Sequence, residues 1–128
     1  MATVNQVQSI TLLANADLKA NQFHFVKMTS TDKTIALAAA VTDAVVGILL
    51  NKPGEVTLLA GEVAEVAYAG IAKVQAGETI AAGNPVGPAA DGRAQHANTT
   101  NDVIAGTAIT GGLVGEIIEV LLGSNNVA

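Results

Sequence analysis

The stretch that decides the fold is Glu62-Val63-Ala64-Glu65-Val66-Ala67-Tyr68, followed by Ala69-Gly70 and then Ile71-Ala72-Lys73-Val74. Polar and apolar residues alternate through much of it, as they do in a strand that buries one face. The alternation slips within residues 62–68, and such a slip is typical of a β-bulge or a bend. The segment therefore predicts two strands, at 62–68 and 71–74, with an irregularity in the first.

Glycine and proline divide the rest of the chain into similar runs. There are 13 Gly and 3 Pro, and the apolar runs between them are about five to eight residues long, the length of strands. Asp91-Gly92 lies between two such runs and indicates a hairpin, because both residues tolerate positive φ. The other predicted strands are residues 9–13, 23–28, 34–38, 45–50, 55–59, 85–88, 93–96, 103–109 and 116–122.

These runs predict a mainly β protein with one compact domain of the β-sandwich or small-barrel type, covering residues 9–122. At most one or two short helices fit, at 42–46 or at 99–104, where Asn and Asp residues can cap a helix. Residues 1–8 lack a strong pattern and predict a flexible N-terminal arm. The polar residues 123–128 predict a frayed tail.

The sequence also contains a weak internal echo. Asp43-Ala44-Val45-Val46-Gly47-Ile48-Leu49-Leu50 resembles Asp102-Val103-Ile104-Ala105-Gly106-Thr107-Ala108-Ile109. Each is followed by a glycine turn and a Gly-Glu-aliphatic strand, Gly54-Glu55-Val56 and Gly115-Glu116-Ile117. Two similar β units packed together would explain the echo, and chance in low-complexity aliphatic sequence explains it nearly as well.

Composition limits the possible functions. The 128 residues are 50% hydrophobic and 13% charged, with a net charge of −5. The acidic balance argues against nucleic-acid binding, which needs clustered Lys and Arg. No apolar run reaches the ~18–20 residues of a membrane span, and no basic-then-apolar leader indicates secretion. The absence of cysteine indicates an intracellular or redox-indifferent setting, and the many aliphatic side chains with few charges predict an oligomer.

Residues that could carry chemistry do not form a convincing set. His24 and His96 have no close acidic or histidine neighbour in sequence, whereas a metal site needs several convergent ligands. The serines have no Gly-x-Ser-x-Gly motif around them. Two glutamate pairs are three residues apart, which places their side chains on opposite faces of a strand. We therefore predict no catalytic residue, no metal and no cofactor; the residues considered are Ser9, Ser30, Ser124, Glu62, Glu65, Glu116 and Glu119.

Residues 70–86 contain a predicted strand followed in order by a Gly-acid pair, an Ile, a Gly-polar pair and a Val. This pattern also occurs in lipoyl and biotinyl carrier domains. Those domains present a modified lysine at a hairpin tip, flanked by Met or by Asp and a small residue. Here the only turn lysine is Lys52, between Asn51 and Pro53. A carrier domain is therefore the least favoured alternative.

The order of these patterns resembles that of the phage capsid decoration, or cement, proteins. The resemblance covers about residues 9–122 and consists of glycine and aliphatic patterns. In the family the last glycine-polar step of the central string is often Gly-Asp, and here it is Gly83-Asn84. The segments that carry the resemblance are Ser9-Ile10-Thr11-Leu12, Phe23-His24-Phe25-Val26, Val45 to Leu49, Gly61 to Val66, Ala69 to Val74, Ala76 to Val86, Ile104 to Ala108 and Glu116 to Leu122.

The resemblance implies a structural protein of a tailed phage, without catalysis. Such proteins have a compact β fold, in some cases called a β-tulip, and typically form homotrimers. They are made in the host cytoplasm and bind the outer surface of an expanded capsid at three-fold or quasi-three-fold positions. There they clamp neighbouring major capsid proteins, so the expected partners are the major capsid protein and further copies of this chain.

For contact with the capsid we expect the N-terminal arm to add a strand to an edge of the capsid protein, which backbone hydrogen bonds make tolerant of sequence. An alternative is another phage structural β module, such as a head-fibre base or a tail-associated module. The predicted contact residues in the arm are Val4, Asn5, Gln6, Val7 and Gln8.

Overall fold

The computed structural model describes residues 7–18, 20–50 and 63–127. This part of the chain is a mainly β protein, as predicted, and it contains no helix. Accordingly, no helical segment in these ranges has the length and apolar character needed to cross a bilayer. The strands are β1 (Val7–Ala14), β2 (Phe25–Met28), β3 (Thr34–Leu37), β4 (Gly47–Leu49), β5 (Val63–Gln75), β6 (Pro85–Pro88), β7 (Ala94–His96), β8 (Val103–Ala108) and β9 (Ile117–Val127).

The two predicted strands at 62–68 and 71–74 form one long strand, β5. Ser9 of β1 pairs with Ala67 and Gln8 pairs with Ala69, so Tyr68 is an extra residue opposite this step. The irregularity predicted from the broken alternation is therefore confirmed as a bulge. Two residues later Gly70 has φ 89°, a left-handed conformation that only glycine adopts without strain.

The nine strands form one sheet in the order β1-β3-β2-β4-β5-β9-β8-β6-β7. Because β1 also pairs with β5, the strands β1, β3, β2, β4 and β5 close into a ring. The other strands form a second ring, since β7 returns to the end of β5 through a parallel bridge between Ala76 and Ala94. We call residues 7–50 with 63–69 the first unit and residues 71–127 the second unit; β5 contributes to both.

The two units repeat one pattern of pairing. In each, the first strand pairs parallel with the third and antiparallel with the last. Hydrogen bonds outside the ladders repeat as well. Phe23 N donates to Leu49 O at 2.8 Å where Gly83 N donates to Ala108 O at 2.8 Å, and Asn15 N donates to Ile35 O at 3.0 Å where Gly77 N donates to Ala94 O at 2.7 Å.

The interiors correspond residue by residue. Each member of the core cluster inside the first unit has a buried counterpart inside the second unit, at the equivalent position of the ring. Of the two explanations of the echo, this correspondence supports two similar β units packed together. In the first unit the cluster is Leu12, Ala14, Leu18, Val26, Ile35, Leu49, Ala64 and Val66; the counterparts are Val74, Ala76, Ile80, Val86, Ala94, Ala108, Ile118 and Val120.

The second half of the predicted echo was out of register. Ile117 begins β9, and the residue that begins the equivalent half of β5 is Val63, not Val56. Gly61-Glu62-Val63 is thus the counterpart of Gly115-Glu116-Ile117. Gly54-Glu55-Val56 lies outside the described residues, as does the predicted strand at 55–59.

The short helix that the sequence allowed at 42–46 or at 99–104 forms at neither place. Instead, aspartates at equivalent positions hold tight turns. Asp43 Oδ2 accepts hydrogen bonds from the N–H groups of Ala39 (2.8 Å) and Ala40 (3.0 Å). Asp102 Oδ2 accepts one from Thr99 N (3.1 Å). A strand follows each turn almost at once, which leaves no room for a helix.

Both ends of the described chain are more regular than predicted. Val7 and Gln8, expected in the flexible arm, belong to β1 and pair with Gly70 and Ala69 of β5. Strand β9 continues to Val127, through residues expected to fray, and Val127 pairs with Val103. The backbone partners in β5 and β8 account for both extensions.

The first unit packs against the second through a row of outward-facing side chains on three neighbouring strands. Phe25 pairs with Ile48, and Ile48 pairs with Ala67; all three side chains are buried. They belong to the same core cluster as the interior of the second unit. Backbone hydrogen bonds join the units here as well, including one from Phe25 N to Gly92 O (2.7 Å).

Candidate interaction surface

The predicted contact residues are only partly within the described chain. Val4, Asn5 and Gln6 lie outside it. Val7 and Gln8 are exposed at the start of β1, where Val7 pairs with Gly70 at the junction of the two units. The described chain thus begins beside the middle of β5, and contact of these residues with a partner stays a prediction.

A shallow groove lies beside Val7. It has a volume of about 550 Å³, and its lining is mostly apolar, with Lys73 and Glu119 as its charged members. These two residues are directly opposite each other in the β5–β9 pairing. The lining residues of the groove are Val7, Gln22, Phe23, Leu50, Ile71, Ala72, Lys73 and Glu119.

Phe23 shapes one side of this groove through an unusual backbone conformation. Its φ is 63°, and its counterpart in the second unit is Gly83, with φ 90°. The Phe23 N–H donates to Leu49 O and its carbonyl accepts from Gln75 N, each at 2.8 Å. These two hydrogen bonds hold Phe23 between the first unit and the second unit's part of β5, in a conformation that costs a non-glycine residue about 1–2 kcal/mol.

The turn between β8 and β9 presents two of the most exposed apolar side chains, Leu113 and Val114. The turn is well held, because Glu116 Oε1 accepts from Leu113 N (2.6 Å) and Gly115 N donates to Ala76 O (2.7 Å). Gln75 Nε2 adds a bond to Gly115 O (3.2 Å). Sequence reasoning missed this feature, although the apolar pair between Gly112 and Gly115 was a signal for it.

The other exposed large apolar side chains form two groups. One lies on β1 and on the part of β5 in the first unit, and one on and between β8 and β9. Met28 stands apart from both. The first group is Val7, Ile10, Leu13, Val63 and Tyr68; the second, with the turn residues, is Ile109, Leu113, Val114, Ile117 and Leu121.

Two aspartates, Asp43 before β4 and Asp91 between β6 and β7, hold turns through hydrogen bonds. The hydrogen bond from Ala39 N and the neighbouring Lys27 ammonium, at 3.1 Å, lower the pKa of Asp43, while partial burial opposes the shift. For Asp91, partial burial acts to raise the pKa, but hydrogen bonds from the backbone N–H and Nε of Arg93 outweigh it and the pKa is lowered. Both carboxylates are therefore structural anchors of turns.

The residues considered for chemistry are dispersed. The buried His24 has Nδ1 3.0 Å from Gln22 O, and the backbone N–H of His96 donates to Glu78 (3.1 Å). Ser9 Oγ donates to Glu65 (2.9 Å). Among the described residues no group of three or more His, Asp or Glu side chains could hold a metal ion. Glu62 and Lys52 lie outside the described chain.

Comparison with known proteins gives a fold and no family. No protein-family model matches the chain, and no curated protein matches it. The fold itself is shared with a structural module of a phage head. That module is the N base of the head fiber gp8.5 of bacteriophage phi29. Its crystal structure superposes on this chain with a TM-score of 0.67, and the two sequences are 18% identical. The match covers 94% of this chain and 98% of that one.

Proposed function

We propose that this chain is a structural protein of a phage head, bound to the outer surface of the capsid. The observation that carries the proposal is the likeness to the phi29 head-fiber base, which extends over nearly the whole of both chains. The pattern of glycine and aliphatic residues, which resembles that of the capsid decoration proteins, is an independent argument for the same class of particle.

Within this class we propose the cement function. The chain would bind an expanded head at three-fold or quasi-three-fold positions as a homotrimer and stabilise the contacts between major capsid proteins. The exposed apolar groups on β1–β5 and on β8–β9 provide surface for such contacts. The proposal involves no catalysis, cofactor, nucleic acid or membrane, and the protein would be made in the host cytoplasm.

The attachment we propose uses the N-terminal arm. An arm that orders on binding loses about 1–2 kcal/mol of backbone entropy per residue, so a single arm binds weakly. Three arms on one trimer raise the effective concentration, and avidity can exceed single-site affinity by ~10²–10⁴. Val7 and Gln8 already pair with β5, so only residues 1–6 can be removed without disturbing β1.

The test is binding to empty expanded heads, assembled from the major capsid protein encoded in the same genome. We expect the full chain to co-sediment with the heads and to give density at three-fold positions in cryo-electron microscopy. A variant lacking residues 1–6 should keep the circular dichroism spectrum of the full chain and lose co-sedimentation. Failure of the full chain to bind would refute the head assignment, and normal binding by the shortened chain would refute the arm mechanism.

The second candidate is the base of a head fibre. It is favoured because the similar solved structure is itself the base of a head fiber. The two candidates differ in their effect on the head. We expect a cement protein to raise the temperature at which expanded heads break, and a fibre base to bind without this effect. Differential scanning fluorimetry of heads with and without saturating protein separates them.

A further inference from the structure

Because the two units repeat one pattern of pairing, side chains of one unit have equivalents in the other, and equivalent side chains can differ in exposure. The outer row of the first unit, Phe25, Ile48 and Ala67, has an equivalent row in the second unit. There Pro85 pairs with Thr107, and Thr107 pairs with Leu121. The row of the first unit is 0% exposed at Phe25, Ile48 and Ala67 because the second unit covers it. In the equivalent row Leu121 is 47% exposed and Thr107 is exposed.

The other side of the contact shows the same asymmetry. Ala72 and Leu122 lie at the end of the second unit's interior that meets the first unit, and they are 4% and 8% exposed. The equivalent residues of the first unit are Ile10, two residues before the interior residue Leu12, and Tyr68, the extra residue of the bulge in β5. Ile10 is 39% exposed and Tyr68 is 42% exposed. We call Ile10 and Tyr68 the open end of the first unit.

The contact between the units is therefore directional. The outer row of one unit packs on the end of the next, and one of each surface is left over: the outer row of the second unit and the open end of the first. Further exposed apolar side chains lie beside the outer row of the second unit: Ile109 in the turn after β8, and Ile117 at the start of β9. Exposed apolar patches mark interaction sites, and two different patches on one chain that fit each other give a heterologous contact between copies.

We propose that copies of this chain associate head to tail, with the outer row of the second unit of one copy packed on the open end of the first unit of another. The contact is heterologous, since each copy offers two different surfaces. It closes into a ring if the rotation permits, and otherwise it continues as a filament. The homotrimer of the proposed function would be one closed form, but the contact itself does not depend on attachment to a head.

Two differences make the contact between copies weaker than the one within the chain. Phe25 N donates to Gly92 O within the chain, whereas Pro85 has no N–H to donate to the equivalent carbonyl. Lys33 stands at the position of Gly92, and its side chain must turn aside to solvent. Apolar burial is left as the main attraction, so the association is reversible and depends on protein concentration.

The experiment uses one variant for each surface, Leu121→Glu for the outer row and Tyr68→Glu for the open end. Mass is measured by size-exclusion chromatography with light scattering, without phage heads, so the result is separate from that of the head-binding test. The wild type should exceed the monomer mass, and each variant should associate about ten- to a hundredfold more weakly. An equimolar mixture of the two variants should form a dimer, because it contains one intact row and one intact end.

The matched control is Leu113→Glu, which places the same charge at a leucine on the β8–β9 turn that is 61% exposed, more than Leu121. It should keep the association of the wild type. A monomeric wild type, a mixture that stays monomeric, or equal loss in the control would overturn the proposal.

Cysteine variants provide a second readout if a glutamate variant fails to fold, because the natural chain has no cysteine. Leu121→Cys mixed with Tyr68→Cys should form a disulfide-linked heterodimer on mild oxidation. Leu113→Cys mixed with Tyr68→Cys should not. Equal crosslinking in the two mixtures would also overturn the proposal.

Discussion

The close approach of β4 to β5 predicts a large effect for Gly47→Ala. A Cβ atom added at Gly47 would lie 2.0 Å from Ala67 O and 2.8 Å from Val66 Cγ1. Both neighbours are fixed, since Ala67 O is backbone and Val66 is fully buried. The alanine can fit only if β4 moves away from β5.

The magnitude follows from what that movement breaks. Overpacking of a close-packed interior costs about 1–3 kcal/mol. Separation of β4 from β5 also weakens ladder hydrogen bonds and the neighbouring Leu50 N to Glu65 O bond of 2.9 Å, at about 1 kcal/mol each. We therefore expect a loss of about 3–5 kcal/mol, a large share of the 5–15 kcal/mol typical of a domain.

Urea denaturation followed by far-ultraviolet circular dichroism measures this loss, at one protein concentration for all variants because association shifts apparent stability. Gly123→Ala is the matched control: Gly123 also lies in a strand, and an added Cβ meets nothing within 4 Å. The control should be neutral or more stable by a few tenths of a kcal/mol. A Gly47→Ala variant within about 1 kcal/mol of wild type would refute the reasoning.

Two further predictions concern turns. Asp43→Asn should lower the free energy of unfolding by about 1–2 kcal/mol at neutral pH. Because the pKa of Asp43 is lowered in the folded protein, this difference from wild type should persist above the unfolded pKa of about 3.9 and vanish as the pH falls through the folded pKa. Urea denaturation at a series of pH values across that range measures it. A difference that does not change with pH would contradict it. Lys33→Gly should gain about 0.5–1 kcal/mol, because Lys33 has φ 56° where its counterpart Gly92 has φ 83°; a melting temperature unchanged or lowered would show that the strain is absent.

Local chemistry made much of the fold predictable. The β6–β7 hairpin was readable from the short run Pro85 to Pro88 and from Asp91-Gly92, because a short run and the turn that follows it are properties of neighbouring residues. The bulge at Tyr68 was readable for the same reason. The closure of the rings was not, since the parallel pairing of β1 with β3 and the bridge from Ala76 to Ala94 join residues far apart in sequence.

The register of the repeat was hidden by repetition of small motifs. Gly-Glu begins at positions 54, 61, 77 and 115, and only the pairing of β5 and β9 shows which pairs correspond. The outer rows were hidden for a related reason. Ala67 and Leu121 are both aliphatic residues of alternating strands, and only the position of the neighbouring unit makes one buried and the other exposed.

Strand β5 also determines how the molecule comes apart. Its first half is a side of one ring and its second half is a side of the other, and Phe25, Ile48 and Ala67 of the first unit are buried in the same cluster as the interior of the second unit. Separating the two halves at Gly70 would expose this shared apolar surface to water, so we expect heat to melt both halves in a single calorimetric transition. The two units of the internal repeat should therefore unfold as one cooperative domain.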